Sequence, residues 1–218
     1  MLELFGHPFS SYTWKAQIAL HEKGIDYAFR VIEPDQPENG AALRRHWPLA
    51  KFPVLLDDGQ PVIESSIIIE WLDQRFPESR PLLPRDPDRA LEVRFMDRIF
   101  DNHVMGQMQA VVNEYLIDTE NPDRDRIARA HAALDVIYEW LEGRLDGGPW
   151  AVGEDFTLAD CAAAPSLFYA DWVRPIPPEL SRLKVYRADL LGRPSVARCV
   201  EAARPYRQLF PLGAPDRD

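Results

Sequence analysis

The stretch Lys51-Phe52-Pro53-Val54-Leu55-Leu56-Asp57-Asp58-Gly59-Gln60-Pro61-Val62-Ile63-Glu64-Ser65-Ser66 constrains this chain more than any other. Val54, Leu55 and Leu56 form a short β-type run, Asp58-Gly59 signals a tight turn, and Val62-Ile63 reads as the returning strand. Pro53 heads the first strand, where a missing N–H removes no ladder bond. Ser65 or Ser66 supplies a helix cap, and Ile67 to Leu72 continues the helix. One reading stops there, at a plain hairpin running into a capped helix. A second reading adds chemistry. A strand edge just after Pro53 offers backbone groups to an extended peptide, and helix N-terminal amides near Ser65 attract a carboxylate. Together they suit a small acidic peptide.

Upstream, Leu2 to Phe5 alternates as a strand, and His7 to Thr13 reads as a turn into a helix. Trp14, Ile18 and Ala19 give that helix an apolar face, and Gly24 stops it. Tyr27 to Ile32 reads as a second strand, so the first thirty residues form a βαβ unit. A polar loop from Glu33 to Asn39 and a short helix from Ala41 to His46 precede the hairpin, and a helix from Ser65 to Phe76 follows it. A parallel pair extended by an antiparallel hairpin is the thioredoxin-like plan.

The pattern then changes. Residues 77–87 hold four prolines, which cannot continue a helix. Beyond them the apolar positions repeat at helical spacing: Leu91, Phe95 and Ile99, with Met96 and Phe100 beside them, and later Ile127, Ala130, Leu134, Tyr138 and Leu141. Asn121-Pro122-Asp123 separates these two long helices. In Phe156-Thr157-Leu158-Ala159-Asp160-Cys161 a threonine cap, an aspartate three places on and flanking apolar residues spell a capping box with a hydrophobic staple, a folding signal. The expected architecture is an α/β thioredoxin-like domain over residues 1–78, a linker at 79–87 and an all-α domain over 88–218.

Composition narrows the function. A net charge of −10 speaks against nucleic acid as a partner. No apolar run approaches the ~18–20 residues of a membrane span, and Met1-Leu2-Glu3-Leu4 lacks the basic start of a signal peptide, so the expected location is the cytoplasm. The two cysteines, Cys161 and Cys199, form no metal-ligand or redox pair, the five histidines are scattered, and no phosphate-cradling glycine loop occurs. No metal is expected.

Ser10-Ser11 before the first helix, Phe52-Pro53-Val54, Glu64-Ser65 and the Phe156–Asp160 cap occur together, in order, across most of the chain. In this combination the chain resembles the glutathione transferases, and Ser10-Ser11-Tyr12-Thr13-Trp14-Lys15 is most similar to their serine-type classes, zeta-like and related bacterial members. The resemblance implies an enzyme of detoxification with glutathione as co-substrate. It implies a cis bond before Pro53, with the backbone that follows it pairing with the cysteinyl part, and Phe52 and Val54 among the glutathione-binding residues. It assigns the γ-glutamyl end to Glu64, for the amine, and Ser65, for the carboxylate. Lys51 stands where some classes have a histidine near the glycine carboxylate. Ser10 is the first choice to face the thiol and Ser11 the second, with Tyr12 a further donor. A free thiol with a pKa near ~8.5 is only a few per cent ionised at neutral pH, so a hydroxyl donor and helix amides must favour the anion. With serine rather than cysteine at positions 10–13, thiol–disulfide exchange is disfavoured.

The second substrate, a small and largely apolar electrophile, is expected between the domains, against Phe9, Tyr12, His103, Met108, Tyr115 and Trp172. Such aromatic and methionine positions are otherwise core, His103 otherwise a satisfied helix histidine, and Arg174 a surface ion pair. The resemblance also implies a homodimer through the Ser65–Phe76 helix and the first long helix, with Arg75, Arg94 and Asp97 contributing. Two other functions stand beside conjugation. One is isomerisation of maleylacetoacetate, although Tyr12 replaces the usual cysteine after the serine pair. The other is a non-catalytic binding member. Leu209 to Asp218 either caps the pocket or is disordered.

Overall fold

β1 (Leu2–Gly6) leads into α1 (Ser11–Lys23), whose ends are set by local chemistry. The Ser10 Oγ accepts the Thr13 N–H at 3.3 Å, and Gly24 closes the helix at φ 63°, a conformation that costs glycine least. The computed structural model describes residues 1–145 and 147–218. β2 (Ala28–Val31), α2 (Pro37–His46), β3 (Val54–Asp57), β4 (Gln60–Ile63) and α3 (Ser65–Arg75) complete the first part. α2 begins four residues earlier than Ala41 because Pro37 sits in its first turn, where the fixed φ favours a helix and no N–H is needed.

The sheet order is β2-β1-β3-β4, with β1 parallel to β2 and antiparallel to β3. This corrects the expected strand edge after Pro53. β3 is internal, because Val54 faces Phe5 on one side and Ile63 on the other. The period-2 alternation splits the sheet's side chains. Leu2, Leu4 and Leu55 join the main core, whereas Phe5, Val54 and Leu56 pack with Leu43 of α2. The Phe52–Pro53 peptide bond is cis.

The proline-rich stretch is held in place. Leu82 is fully buried, the Asp73 carboxylate accepts the N–H groups of Leu82 and Leu83, and the Leu82 carbonyl accepts the Leu158 N–H at 2.8 Å. After it come α4 (Pro87–Arg98), a π-helical segment (Ile99–Met105), α5 (Gly106–Ile117), α6 (Arg124–Arg144), α7 (Leu158–Val173), α8 (Ser181–Gly192), α9 (Pro194–Ala203) and a 3-10 segment (Arg204–Leu209). α7 is buried along its whole length and packs on α1, α4 and the π segment. Its predicted capping box is present with a different centre. The buried Asp160 carboxylate accepts the Thr157 N–H at 2.7 Å and the Thr157 hydroxyl at 3.0 Å, together with the Ala151 N–H at 2.8 Å and the Tyr186 hydroxyl at 2.7 Å.

Of the two apolar rows on the first long helix, one turns outward. Leu91 and Phe95 are 67% and 46% exposed, while Met96, Phe100 and Val104 are fully buried. Two apolar rows share helical spacing, and periodicity does not say which of them turns inward. Among the described residues no helix is long and apolar enough to cross a membrane.

Candidate functional site

Two cavities, each of about 590 Å³, adjoin where the first-half elements meet α4 and α5, and they share Tyr12, Lys51 and Phe52. The first is polar. Its wall includes Lys51, Phe52, Pro53, Glu64 and Ser65 from the predicted set, and Ser66, Asp97, Arg98, Asp101 and Asn102 beyond it. Carboxylates and cations therefore face one space, which suits a zwitterionic ligand end.

The floor of this cavity is the start of α3. Glu64, at φ 74° and ψ 123°, is the capping position, and its side chain makes no cap bond. A non-glycine residue at positive φ is costly and is a mark of functional sites. The serines do not cap, contrary to expectation: Ser65 is the first helical residue, and the Ser66 hydroxyl is engaged elsewhere. The N–H groups of Ser65, Ser66 and Ile67 have no acceptor among the described residues. Uncapped first-turn amides carry the positive end of the helix dipole and bind anions. Phe52, just outside β3, has neither its N–H nor its C=O in a hydrogen bond among the described residues. The open backbone thus lies before Pro53, one residue upstream of the paired strand. Val54 itself is fully buried between β1 and β4 and does not line the cavity.

The second cavity takes in Ser10, Ser11 and Tyr12. The Ser10 hydroxyl oxygen is the N-cap acceptor of α1, which leaves its proton to donate into the cavity. Ser11 is mostly buried, and the Ser11 and Tyr12 N–H groups have no acceptor among the described residues. Burial, and then the Asp101 charge, pushes the Tyr12 hydroxyl up to about 12, so it stays protonated and a donor at neutral pH. The rest of the wall is mostly apolar, with Phe9, Met108, Val112, Leu116, Tyr169, Leu209, Phe210 and Pro211 beside the polar His7, Lys51 and Gln109. The C-terminal segment is ordered against the cavity, as one of the two expectations had it.

Three predicted wall residues lie elsewhere. His103 is exposed on a separate groove with Gln107 and Val136. Tyr115 faces the start of α6, where its hydroxyl accepts from Arg124 at 3.2 Å. Trp172 sits one layer behind the wall, its ring 6.3 Å from Phe9 and 5.1 Å from Phe210. Helical spacing identified these side chains as inward-facing or large but not which surface each would meet. Arg174 forms the expected ion pair, its Nε and Nη2 donating to the Asp135 carboxylate at 2.8 and 2.7 Å.

At the wall of the polar cavity lies a group that spacing did not reveal. Lys15, fully buried on α1, donates to Asp97 at 2.5 Å, Asp101 at 2.7 Å and Ser66 at 2.8 Å. Arg98, half exposed, donates to the same three side chains at 2.5, 2.7 and 2.5 Å. Burial raises the Asp101 carboxyl, against the pull of Lys15. Asp97 is therefore an internal ion-pair member, not the surface residue expected of it, and Arg75 and Arg94 pair within the chain with Asp57 and Glu70. One signal was available in the sequence: Lys15 interrupts the buried stripe between Trp14 and Ile18. Among the described residues no cluster of His, Cys, Asp or Glu could hold a metal.

Known proteins share this architecture. Residues 4–80 match a family model described as glutathione S-transferase, N-terminal domain, and residues 124–198 match one described as glutathione S-transferase, C-terminal domain. The chain is similar to a probable glutathione S-transferase of Nicotiana tabacum, 32% identical over 167 residues that cover 74% of this chain and 68% of the relative. It is similar to a probable maleylacetoacetate isomerase of Caenorhabditis elegans, 28% identical over 77% of this chain and 78% of the relative. It is also similar to the crystal structure of a glutathione S-transferase from Methylobacterium radiotolerans in complex with glutathione sulfonate. That match has a TM-score of 0.78 and 30% identity, and covers 91% of this chain and 94% of the other.

Proposed function

We propose a function from one premise: the chain belongs to the glutathione S-transferase family. It is a glutathione transferase that binds the tripeptide in the polar cavity and presents its thiolate to an apolar electrophile in the adjoining one. The observation that carries this reading is the pair of cavities, one polar and of mixed charge, one apolar, which meet at Tyr12, Lys51 and Phe52 with Ser10 and Ser11 beside the junction.

In this proposal Ser65 and the open amides of α3 take the γ-glutamyl carboxylate, and Glu64 takes the ammonium. The unpaired backbone of Phe52 takes the cysteinyl unit, with Pro53 setting its direction. Val54 contributes through the strand that supports this turn. Lys51 takes the glycine carboxylate. The sulfur then lies beside Ser10, whose hydroxyl and the Ser11 and Tyr12 amides stabilise the anion. Lowering the thiol by ~2 units corresponds to ~2.7 kcal/mol, more than one neutral hydrogen bond of ~1 kcal/mol supplies, so hydroxyl and amides share it. The thiolate lone pair forms the sulfur–carbon bond as the electrophile's leaving group departs or its double bond accepts the electrons. Ser11 and Tyr12 are the alternative donors.

The isomerase alternative is carried by the Caenorhabditis elegans relative. Maleylacetoacetate bears two carboxylates, and among the described residues the side chains of the apolar cavity that can carry positive charge are Lys51 and His7, the latter with its charged form disfavoured by burial. Conjugation of a neutral electrophile fits this wall better. The homodimer belongs to the same proposal, across α3 and α4, where Ile67, Leu91 and Phe95 are large apolar side chains facing outward. So do a division of the chain across residues 79–87 and a cytoplasmic location.

The test is a pH–rate comparison of the parent with Ser10→Ala, Ser11→Ala and Tyr12→Phe, after calorimetry has established glutathione binding. Ser10→Ala is expected to lower kcat/KM by about five-fold, the worth of the ~1 kcal/mol hydroxyl bond, and to move the thiol pKa part of the way back toward ~8.5. A Ser10→Ala profile that superimposes on the parent assigns the role elsewhere. No glutathione binding at millimolar concentration favours the non-catalytic alternative, and faster turnover of maleylacetoacetate than of neutral electrophiles favours the isomerase.

A further inference from the structure

The turn that carries Ser10 is fastened from outside itself. The His7 carbonyl accepts the Ser10 N–H at 3.0 Å, and the His7 Nδ1 accepts the Phe9 N–H at 3.1 Å. The Phe9 carbonyl accepts the Tyr169 hydroxyl at 3.0 Å, so both backbone groups of Phe9 are held by side chains. With Nδ1 accepting, the proton of the neutral ring is on Nε2. That nitrogen points toward Glu33, 3.9 Å away. Burial favours this neutral form.

The same ring and the same carboxylate hold a third element. The Tyr206 ring meets His7 edge-on, with centroids 4.7 Å apart at 72°, and its hydroxyl donates to the Glu33 Oε1 at 2.5 Å. Edge-to-face aromatic pairs and charge-assisted hydrogen bonds both fix orientation. Tyr206 lies in the 3-10 segment, and Leu209, Phe210 and Pro211, which follow it, form one wall of the apolar cavity. Farther on, Arg217 pairs with Asp171, and Asp218 pairs with Arg204 and Arg207. The C-terminal wall is thus tied at both its ends, and the His7 end is tied to the turn that carries Ser10.

We propose that His7, Glu33 and Tyr206 form a clasp that fastens the C-terminal wall of the electrophile cavity to the Ser10 turn, and thereby sets which electrophiles the cavity admits. The inference rests on the functional reading above for the cavity's occupant. The geometry of the clasp does not depend on it. His7 is a positioning residue with two attachments, one to the Phe9 amide and one to Tyr206. Tyr206 and Glu33 reach the wall alone. The closed clasp selects compact apolar electrophiles, and release of the wall admits bulkier ones.

The division of labour gives the test. Tyr206→Phe keeps the ring against His7 and removes only the bond to Glu33. It is expected to raise the KM for a compact electrophile at least five-fold and to narrow the discrimination against bulky ones. The KM for glutathione and the thiol pKa stay within two-fold and 0.3 units of the parent, roughly the reproducibility of such measurements. Glu33→Gln is expected to behave in the same way. His7→Ala, which also frees the Phe9 amide, is expected to move the thiol pKa as well. Hydrogen exchange over residues 204–211 and the affinity for the dye 8-anilino-1-naphthalenesulfonate are expected to change in Tyr206→Phe. These two readouts need no turnover, so a parent that binds no glutathione sinks the functional reading while the clasp is still tested. The clasp is overturned if Tyr206→Phe leaves exchange, dye affinity and electrophile KM at parent values, or if it raises both KM values in equal proportion.

Discussion

Lys15→Met removes the one ammonium that lies wholly inside the polar network under the site. The side chain keeps its length and apolar stem, so the core loses little volume. What remains is Asp97 and Asp101, 2% and 6% exposed, with the Ser66 hydroxyl on Asp97 and, as their cation, Arg98, which is itself half in solvent. Breaking a buried pair by removing one partner costs ~3–5 kcal/mol, because the charge left behind is neither hydrated nor compensated. For a chain of this size each kcal/mol is worth about 2–4 °C, so the expected fall in Tm is about 6–20 °C. The pH dependence has a definite sign. Burial already holds the Asp101 carboxyl above its unfolded value, so its contribution to stability is full at low pH and is lost as pH rises through the folded value. Without Lys15 that value rises further. The deficit of the variant relative to the parent is therefore largest near neutral pH and shrinks as the carboxyl protonates. Urea titrations at fixed protein concentration, from about pH 7.5 down to about pH 4.5, measure this directly. Lys15→Met combined with Asp101→Asn is expected to recover part of the loss, because the two groups are in contact and their effects do not add. A deficit below about 1 kcal/mol at neutral pH, the range of an exposed pair, or one that grows on acidification, refutes the account.

Three further outcomes follow. Thr157→Ala removes a hydroxyl that donates to the buried Asp160 carboxylate, so its cost is expected at ~1.5–3 kcal/mol, above the ~1 kcal/mol of an ordinary cap, with Thr157→Ser largely restoring stability in thermal melts. Asp160→Ala is expected to cost more than Thr157→Ala, since it strands the Ala151 and Thr157 amides and the Tyr186 hydroxyl together. For the dimer, the parent is expected to sediment at twice the chain mass and Phe95→Glu at the chain mass, because the exposed Leu91–Phe95 row is the apolar part of the α4 face. A parent that sediments as a monomer removes the dimer from the proposal.

Much of the frame was legible because it is written in short-range chemistry. Ser10 caps α1 and Gly24 ends it within one turn of the residues that specify them. Asp58-Gly59 closes the β3–β4 hairpin, as a two-residue turn of that composition should. Thr157 and Asp160 meet because the start of α7 places residues three apart side by side. At α2 the local signal lies four residues upstream of Ala41, at Pro37, whose fixed φ starts the helix. The opening hairpin also marked the right region for the site, since Glu64 and Ser65 stand at the end of β4 and face a polar cavity.

The site's remaining parts depend on residues that are far apart in the chain. Lys15 lies 82 and 86 positions from Asp97 and Asp101, and nothing in the spacing of any of them foretells the others. Val54 is shut in by β1 on one side and β4 on the other, so the open backbone falls at Phe52. His103, Tyr115 and Trp172 have the right chemistry for a substrate wall but meet a different groove, a neighbouring helix and a second layer, while Leu209 to Pro211 arrive from the far end of the chain to make the wall instead. Sequence alone determined the order of strands and helices through α3 and several of the residues that begin and end helices, because capping, turn chemistry and periodicity act over a few residues. Only the tertiary structure decided which charges pair, which apolar row faces inward and which surfaces enclose a cavity, because those depend on how separate elements pack, and packing joins positions that no local pattern relates.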